Sequence, residues 1–537
     1  MKTMRSLVAH VSLLLTTVNS AAFAQNNILN NGGFEAGTMC YAHWIWGKED
    51  WAGDYKFRLS TDAHSGEYSA EIACEGADCI KAAIYSDKIP VQPGKKYRLS
   101  AYAKCPSGTH SFMYVPDAAE GNVSEDFDCD NKWHQAKLEF TAAPKADYAL
   151  YYFFNADKSW LRIDDVSLTF ADRSATQYQP LHVGQRDVKI EGQNVLVDGA
   201  PFLSLGFFDV GYNDLAEVAK SGANTINGGL TQHTAADCFN TRQKSYLDQV
   251  YELGLAFVPG SPTSSRLETP AVFSTIAKTF APHLANIVWF LSDEPDHPKV
   301  KWLHIPAAIL VAEHTALKSA TALPDMSDFQ MAAYGNAGDI APYADASDIW
   351  MGEPYGTDFA TLNHAVNLFN SIRTKPIWLA QDDIDAPLIV PKAYWAIIVG
   401  ATGIHYFTWE IFKKDPAKLA AAQQAFGELK QLKNAIFGDK LDALVKASAG
   451  IVSMSRFDAA ANTAYILSAN GRAENINASF AVEGLEAGRT IRVLNEGRSI
   501  VAGAGSFGDT FAGVSRHVYA VDCKATAGAA HWDFCHR

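Results

Sequence analysis

From about residue 188 the sequence repeats one scheme, in which a short apolar run is followed by a helical pattern and then by another apolar run. "PFLSLGFFD" reads as a buried strand, and "YNDLAEVAKSGANTIN" as a helix leading into the next one. "QKSYLDQVYELGLAFVPG" and "FSTIAKTFAPHLANIVWFLSDEP" repeat the pattern, which continues through "ASDIWMGEPYG", "AVNLFNSIRTKPIWLAQDD" and "YWAIIVGATGIHYFTWE". Alternation of this kind implies parallel strands with covering helices, because a strand returns parallel to its neighbour only through a crossover. The span of about 250 residues predicts a (β/α)8 barrel over 188–445. The competing arrangement, a doubly wound sheet, is unsupported by any glycine-rich nucleotide loop.

The flanks read differently. Residues 1–24 have a basic start at Lys2 and Arg5, an apolar stretch and a small-x-small site ending at Ala24, the pattern of a cleavable signal peptide. That pattern implies a secreted or periplasmic location. Residues 25–172 alternate over short runs such as "KKYRLSAYAKC" and "YALYYFFNA" between turn residues, which predicts a β-sandwich. Residues 173–187 are polar and patternless, a linker. Residues 446–525 return to β patterning, a small terminal sandwich, and 526–537 form a tail. Of all residues, 48% are hydrophobic and 19% charged, which suits folded cores. The net charge of −14 argues against nucleic acid or an anionic membrane as partner. A monomer is expected.

The eight cysteines suit an oxidising compartment. Their spacings suggest local Cys74–Cys79 and Cys523–Cys535 bridges and a Cys105–Cys129 pair, with Cys40 or Cys238 left over. No CxxC spacing or histidine cluster marks a zinc site, and no cofactor is implied.

In a barrel of this type, side chains that do chemistry stand at the C-terminal ends of the strands. Asp209 follows the first strand, Asp293 and Glu294 the fourth, Glu353 the sixth, Asp382 and Asp383 the seventh, and Glu410 the eighth. Trp350, Tyr355, Trp378, Tyr406 and Trp409 accompany them. Acids supply proton transfer or a nucleophile for cleaving glycosidic bonds, and rings stack on sugar faces. Any one of the acids can instead cap the following helix.

Two resemblances sharpen this. "NILNNGGFEAG" (27–37) and "WLRIDDVSLTF" (160–170) resemble the two ends of the family 4 and 9 carbohydrate-binding modules, which implies a jelly-roll sandwich that binds glycan. Trp44, Trp46 and Trp51 in "HWIWGKEDWAGDYKF" are then the candidate sugar contacts. "NIVWFLSDEPD" resembles the strand-four motif of clan A glycoside hydrolases, Asn-Glu-Pro, in which the glutamate is the general acid/base. Glu294 falls on it, and Asp293 stands where the clan has the asparagine that binds the sugar 2-hydroxyl. "KPIWLAQDD" resembles the strand-seven motif, with Gln381 at the nucleophile's place. "GIHYFTWE" resembles strand eight, with Trp409 on the subsite-floor aromatic. Tyr355 falls near the strand-six tyrosine.

A neutral amide is no nucleophile. Either a neighbouring acid has taken over, or the reaction is inverting, or the barrel binds without cleaving. Glu353 is the first choice as base or nucleophile, with Asp382 and Glu410 in reserve. Asp209, Asp293, Tyr355, Trp378, Gln381 and Trp409 are candidate substrate contacts. The expected activity is cleavage of a polysaccharide, with β-linked glucan as the leaning. The alternative is a non-catalytic glycan-binding protein. A lyase needs a cationic subsite, and the mouth motifs offer only Lys375.

Overall fold

The computed structural model describes Phe34 and residues 55–523, other than 78, 80–81, 86–88, 92, 117–120, 122, 145, 147, 150, 156, 172–180, 212–213, 229–240, 260–281, 298–303, 357 and 383. Residues 1–24, expected to be a signal peptide, and Trp44, Trp46, Trp51, Cys40, Cys238, Cys535 and Asp383 lie outside these residues.

The N-terminal region is a sandwich of two antiparallel sheets. The larger runs Tyr55–Ser60, Ser69–Cys74, Trp160–Phe170, Lys96–Lys104, His134–Thr141, and the smaller runs Ala82–Tyr85, Tyr152–Asn155, Ser111–Val115, Val123–Asp126. Strict alternation makes this possible. In Lys96–Lys104 the residues Tyr97, Leu99, Ala101 and Ala103 turn inward while their neighbours face out. Cys74–Cys79 and Cys105–Cys129 are bridged as the spacing suggests. Cys523 is also in a disulfide.

Eight parallel strands come next: β1 Ser204–Phe208, β2 Thr225–Gly228, β3 Ala256–Pro259, β4 Trp289–Asp293, β5 Asp325–Phe329, β6 Ile349–Gly352, β7 Ile377–Gln381 and β8 Gly403–Tyr406. They pair in the order β3-β2-β1-β8-β7-β6-β5-β4. A parallel bridge between Phe257 and Asn286 closes the ring. Most of these strands are rich in apolar residues because one face fills the barrel and the other lies under the helices, whereas β5, Asp-Met-Ser-Asp-Phe, buries two carboxyls. Gly403 shows how tight the interior is: a Cβ there would fall 2.5 Å from the Trp378 ring.

The C-terminal region is a second pair of antiparallel sheets, of six and three strands between Asp439 and Asp522, closed over Ile466, Phe480, Phe507 and Tyr519. It seats on the barrel helix Ala386–Val399. Gly471 touches Trp395 and Phe359, and Arg516 pairs with Glu428 at 2.6 Å where Tyr394 also donates to that carboxylate.

Candidate active site

The strand registers decide which side chains face the barrel mouth. Asp293 pairs with Asp328 across β4–β5, and Asp328 with Met351 across β5–β6. Side chains alternate along a strand, so Asp293, Asp328 and Glu353, one residue beyond β6, share the inner face. Oxygens of these three carboxyls all lie within 4.8 Å of one another. Asp328 and Glu353 are buried, and Asp293 sits deep in the mouth while keeping some solvent contact.

Glu294 comes next in the chain and by simple alternation would face away. Its φ of 42° breaks the alternation. The charge of Glu294 thereby acts on both Glu353 and Asp293. Asp209, at the end of β1 with a φ of 57°, also presses on Asp293. His297 Nε2 stands 4.0 Å from Glu294 Oε2, both side chains retaining some exposure.

Electrostatics force protons into this group. Burial, reinforced by the Glu294 charge, pushes the Asp293 carboxyl up to about 8. Burial first, and then the neighbouring acids, raise Asp328 and Glu353 well above the carboxylate range. Among the described residues, no N–H or O–H donor of fixed position reaches either oxygen of Asp328. The Tyr355 hydroxyl donates to Glu353 Oε1 at 2.6 Å and is itself held un-ionised, by burial above all. The chemistry on offer is therefore proton donation from a partly exposed carboxyl backed by a buried proton store. A divalent cation among Asp293, Asp328 and Glu353 is the other occupant that such oxygens accept.

The remaining expectations divide. Asp382 lies half-buried just beyond β7. Gln381 does not face the mouth. It pairs with Tyr406, whose ring packs on Phe412 and Phe426 in the helix layer, and its buried amide has no hydrogen-bond partner among the described residues. Trp409 is fully buried against Phe207, and Trp378 fills the barrel against His405, so neither offers an open ring to a sugar. Trp350 stacks on Phe369, also buried. Glu410 is exposed on the helix Trp409–Lys414 and paired with Lys413 and Lys414, which hold it below its ordinary value.

Sequence reasoning missed Asp328, Asp296 and His297. The count of eight strands was a usable signal for Asp328, since "PDMSDF" supplies the fifth strand needed between Asp293 and Ile349. Asp296 accepts from the Gln330 and Met331 amides at 3.2 and 2.9 Å and so ties the β4 end to the β5 end. Its own carboxyl is pushed up to about 7 by burial.

Residues 26–159 match the family model described as a carbohydrate binding domain. No curated protein matches the chain. Among solved structures, a GH30 endoxylanase from Clostridium papyrosolvens is similar at 10% identity and TM-score 0.41, with 63% of this chain and 100% of that one covered. An α-amylase from Geobacillus thermoleovorans gives 10% and 0.43 over 58% and 92%. A putative α-galactosidase/melibiase from Bacteroides fragilis gives 9% and 0.41 over 81% and 98%. Likeness at that level adds nothing to the strand pairing itself. The barrel stands on its own topology, and the segment that matches the carbohydrate binding domain model precedes it in the same chain.

Proposed function

We propose that the chain is an exported glycoside hydrolase, cleaved after Ala24, that acts on a β-linked polysaccharide and is held to it by its N-terminal domain. The observation that carries this reading is the convergence of Asp293, Asp328 and Glu353 at the C-terminal mouth of the barrel, with Glu294 next in the chain and its charge acting on Asp293 and Glu353. Glu294 is the general acid/base. It is partly open to solvent. Glu353, fixed by Tyr355, keeps a proton next to Glu294. Asp382 is the reserve carboxylate. The binding domain raises the local concentration of a repetitive substrate around the mouth.

The competing reading is a barrel that binds glycan without cleaving it, which the outward-turned Gln381 favours. Glu294→Gln separates the two. Hydrolysis should fall about 10²–10⁴-fold while the melting temperature and glycan retention stay near those of the parent. Release of sugar at the parental rate by this variant removes Glu294 from the mechanism. An inactive parent on a broad polysaccharide panel favours the binding protein.

A further inference from the structure

We infer that Asp293, Asp328 and Glu353 form a binding site for a divalent, oxygen-seeking cation, Ca²⁺ before Mg²⁺, at the barrel mouth. The site stands apart from the hydrolase reading and asks no catalytic role of its three residues.

The first ground is spacing. Asp293 closes β4, Asp328 lies opposite it in β5, and Glu353 follows β6 directly. One oxygen from each lies within 4.8 Å of the others. Two ligands of one ion can stand no farther apart than twice the metal–oxygen distance, about 4.6–5.2 Å for Ca²⁺ and about 4.0–4.2 Å for Mg²⁺. A span of 4.8 Å falls in the wider range, so the strand ends suit Ca²⁺ as they stand.

The second ground is independent of spacing. Asp328 is 0% exposed, and neither of its oxygens has a hydrogen-bond partner among the described residues. Glu353 is 2% exposed; the Tyr355 hydroxyl donates to Oε1 and leaves Oε2 unpartnered among those residues. The open lone pairs thus belong to the same side chains that converge on one point. Among the described residues none of the three carboxyls is in an ion pair, and the histidine that follows β4, His297, stands by Glu294 instead. Buried carboxylates are tolerated when they are paired or hold a metal.

Another trio of the same spacing shows the contrast. His314, Asp325 and Asp348 also lie within 4.8 Å of one another, but their acids are occupied. Asp325 pairs with His314 Nδ1 at 2.7 Å and accepts the Asp348 amide at 3.0 Å, and Asp348 accepts from Lys318 Nζ at 2.9 Å. No lone pair is left wanting there. At the mouth, a dipositive ion supplies what is missing, and oxygen ligands of this kind select hard cations. Asp293 keeps some solvent contact, which gives the ion a way in. Water fills the remaining positions of the about six to eight that Ca²⁺ takes. Loading exchanges the protons that the carboxyls otherwise hold for the ion.

The full chain, stripped with a chelator and dialysed, is titrated with CaCl₂ or MgCl₂ by calorimetry and melted at each concentration. The parent should bind one Ca²⁺ more per chain than Asp328→Asn or Glu353→Gln, with affinity at this site at least about 10²-fold weaker in either variant. Ca²⁺ should raise the parent's melting temperature, and Mg²⁺ at equal concentration should raise it less. Without the ion both variants should melt at or above the parent, since each removes a buried acid, so a lost response is distinguished from a lost fold. Either variant alone suffices for the test. Asp348→Asn should bind Ca²⁺ as the parent does. No Ca²⁺ binding by the parent, or undiminished binding by Asp328→Asn and Glu353→Gln, overturns the inference. Loss confined to Asp348→Asn overturns it too, and Mg²⁺ bound more tightly than Ca²⁺ overturns the choice of ion. None of these outcomes decides hydrolysis, which Glu294→Gln tests separately.

Discussion

Glu294 was legible because of its neighbours: an apolar strand ending in an acid and a proline has few ordinary uses. Asp328 was not, since "MSDFQM" offers no flanking turn residue to mark a strand end. The tryptophans failed for another reason. A strand buried on both faces carries no polar alternation, so nothing in "PIWLAQDD" tells whether Trp378 or Gln381 looks into the barrel. At the same scale, Glu313 is a buried carboxyl on the helix Ala307–Ala320 with neither oxygen partnered among the described residues, and burial pushes it up to about 8. The folded chain holds this proton and the unfolded chain releases it near 4.5. The stabilising contribution of protonation is therefore present below that value and is lost as pH rises toward 8. Glu313→Gln should flatten this fall and be more stable than the parent at pH 8 by roughly 1–3 kcal/mol, with a smaller gain at pH 5. Melting curves of both proteins from pH 4 to 9 check it, and parallel curves refute it.

Elements were read more successfully than residues. Period-two runs with turn residues between them gave the N-terminal strands, and their inward positions fill its core. The barrel strands emerged because each is a short apolar run next to a helical pattern; only the fifth was passed over. The bridges of the N-terminal sandwich bear on its independence. Cys105–Cys129 closes a longer loop than Cys74–Cys79, with separations of 24 and 5 residues, so it restricts the unfolded chain more. Residues 25–172 expressed alone should fold and bind an insoluble β-linked polysaccharide. Reduction should cost the fragment about 2–4 kcal/mol per bridge, the larger share from Cys105→Ser with Cys129→Ser. Chemical denaturation with and without reductant gives the numbers. A fragment indifferent to reductant, or retained by no polysaccharide of a broad panel, defeats the prediction.

At the scale of the whole molecule, the barrel ring is uneven. Most neighbouring strands are joined by registers of three or four residues, whereas β3 meets the β4 side through one bridge and two main-chain hydrogen bonds among the described residues, Phe257 N–H to the Ala285 carbonyl and Ile287 N–H to the Phe257 carbonyl. Such a ring behaves like a hoop with a lap joint. Radial strain from thermal motion, or from a long polymer lodged in the mouth, concentrates where the fewest bonds resist it, and the joint lies on the segment that leads into β4 and Glu294. Deuterium should therefore enter the Phe257 and Ile287 amides sooner than the amides paired across β4–β5 or β7–β8, through an opening well short of global unfolding. A polymer bridging both sides of the mouth should slow that entry. If these two amides exchange only with the most protected strands, the hoop is as stiff at its joint as elsewhere, and the acid sits on rigid ground.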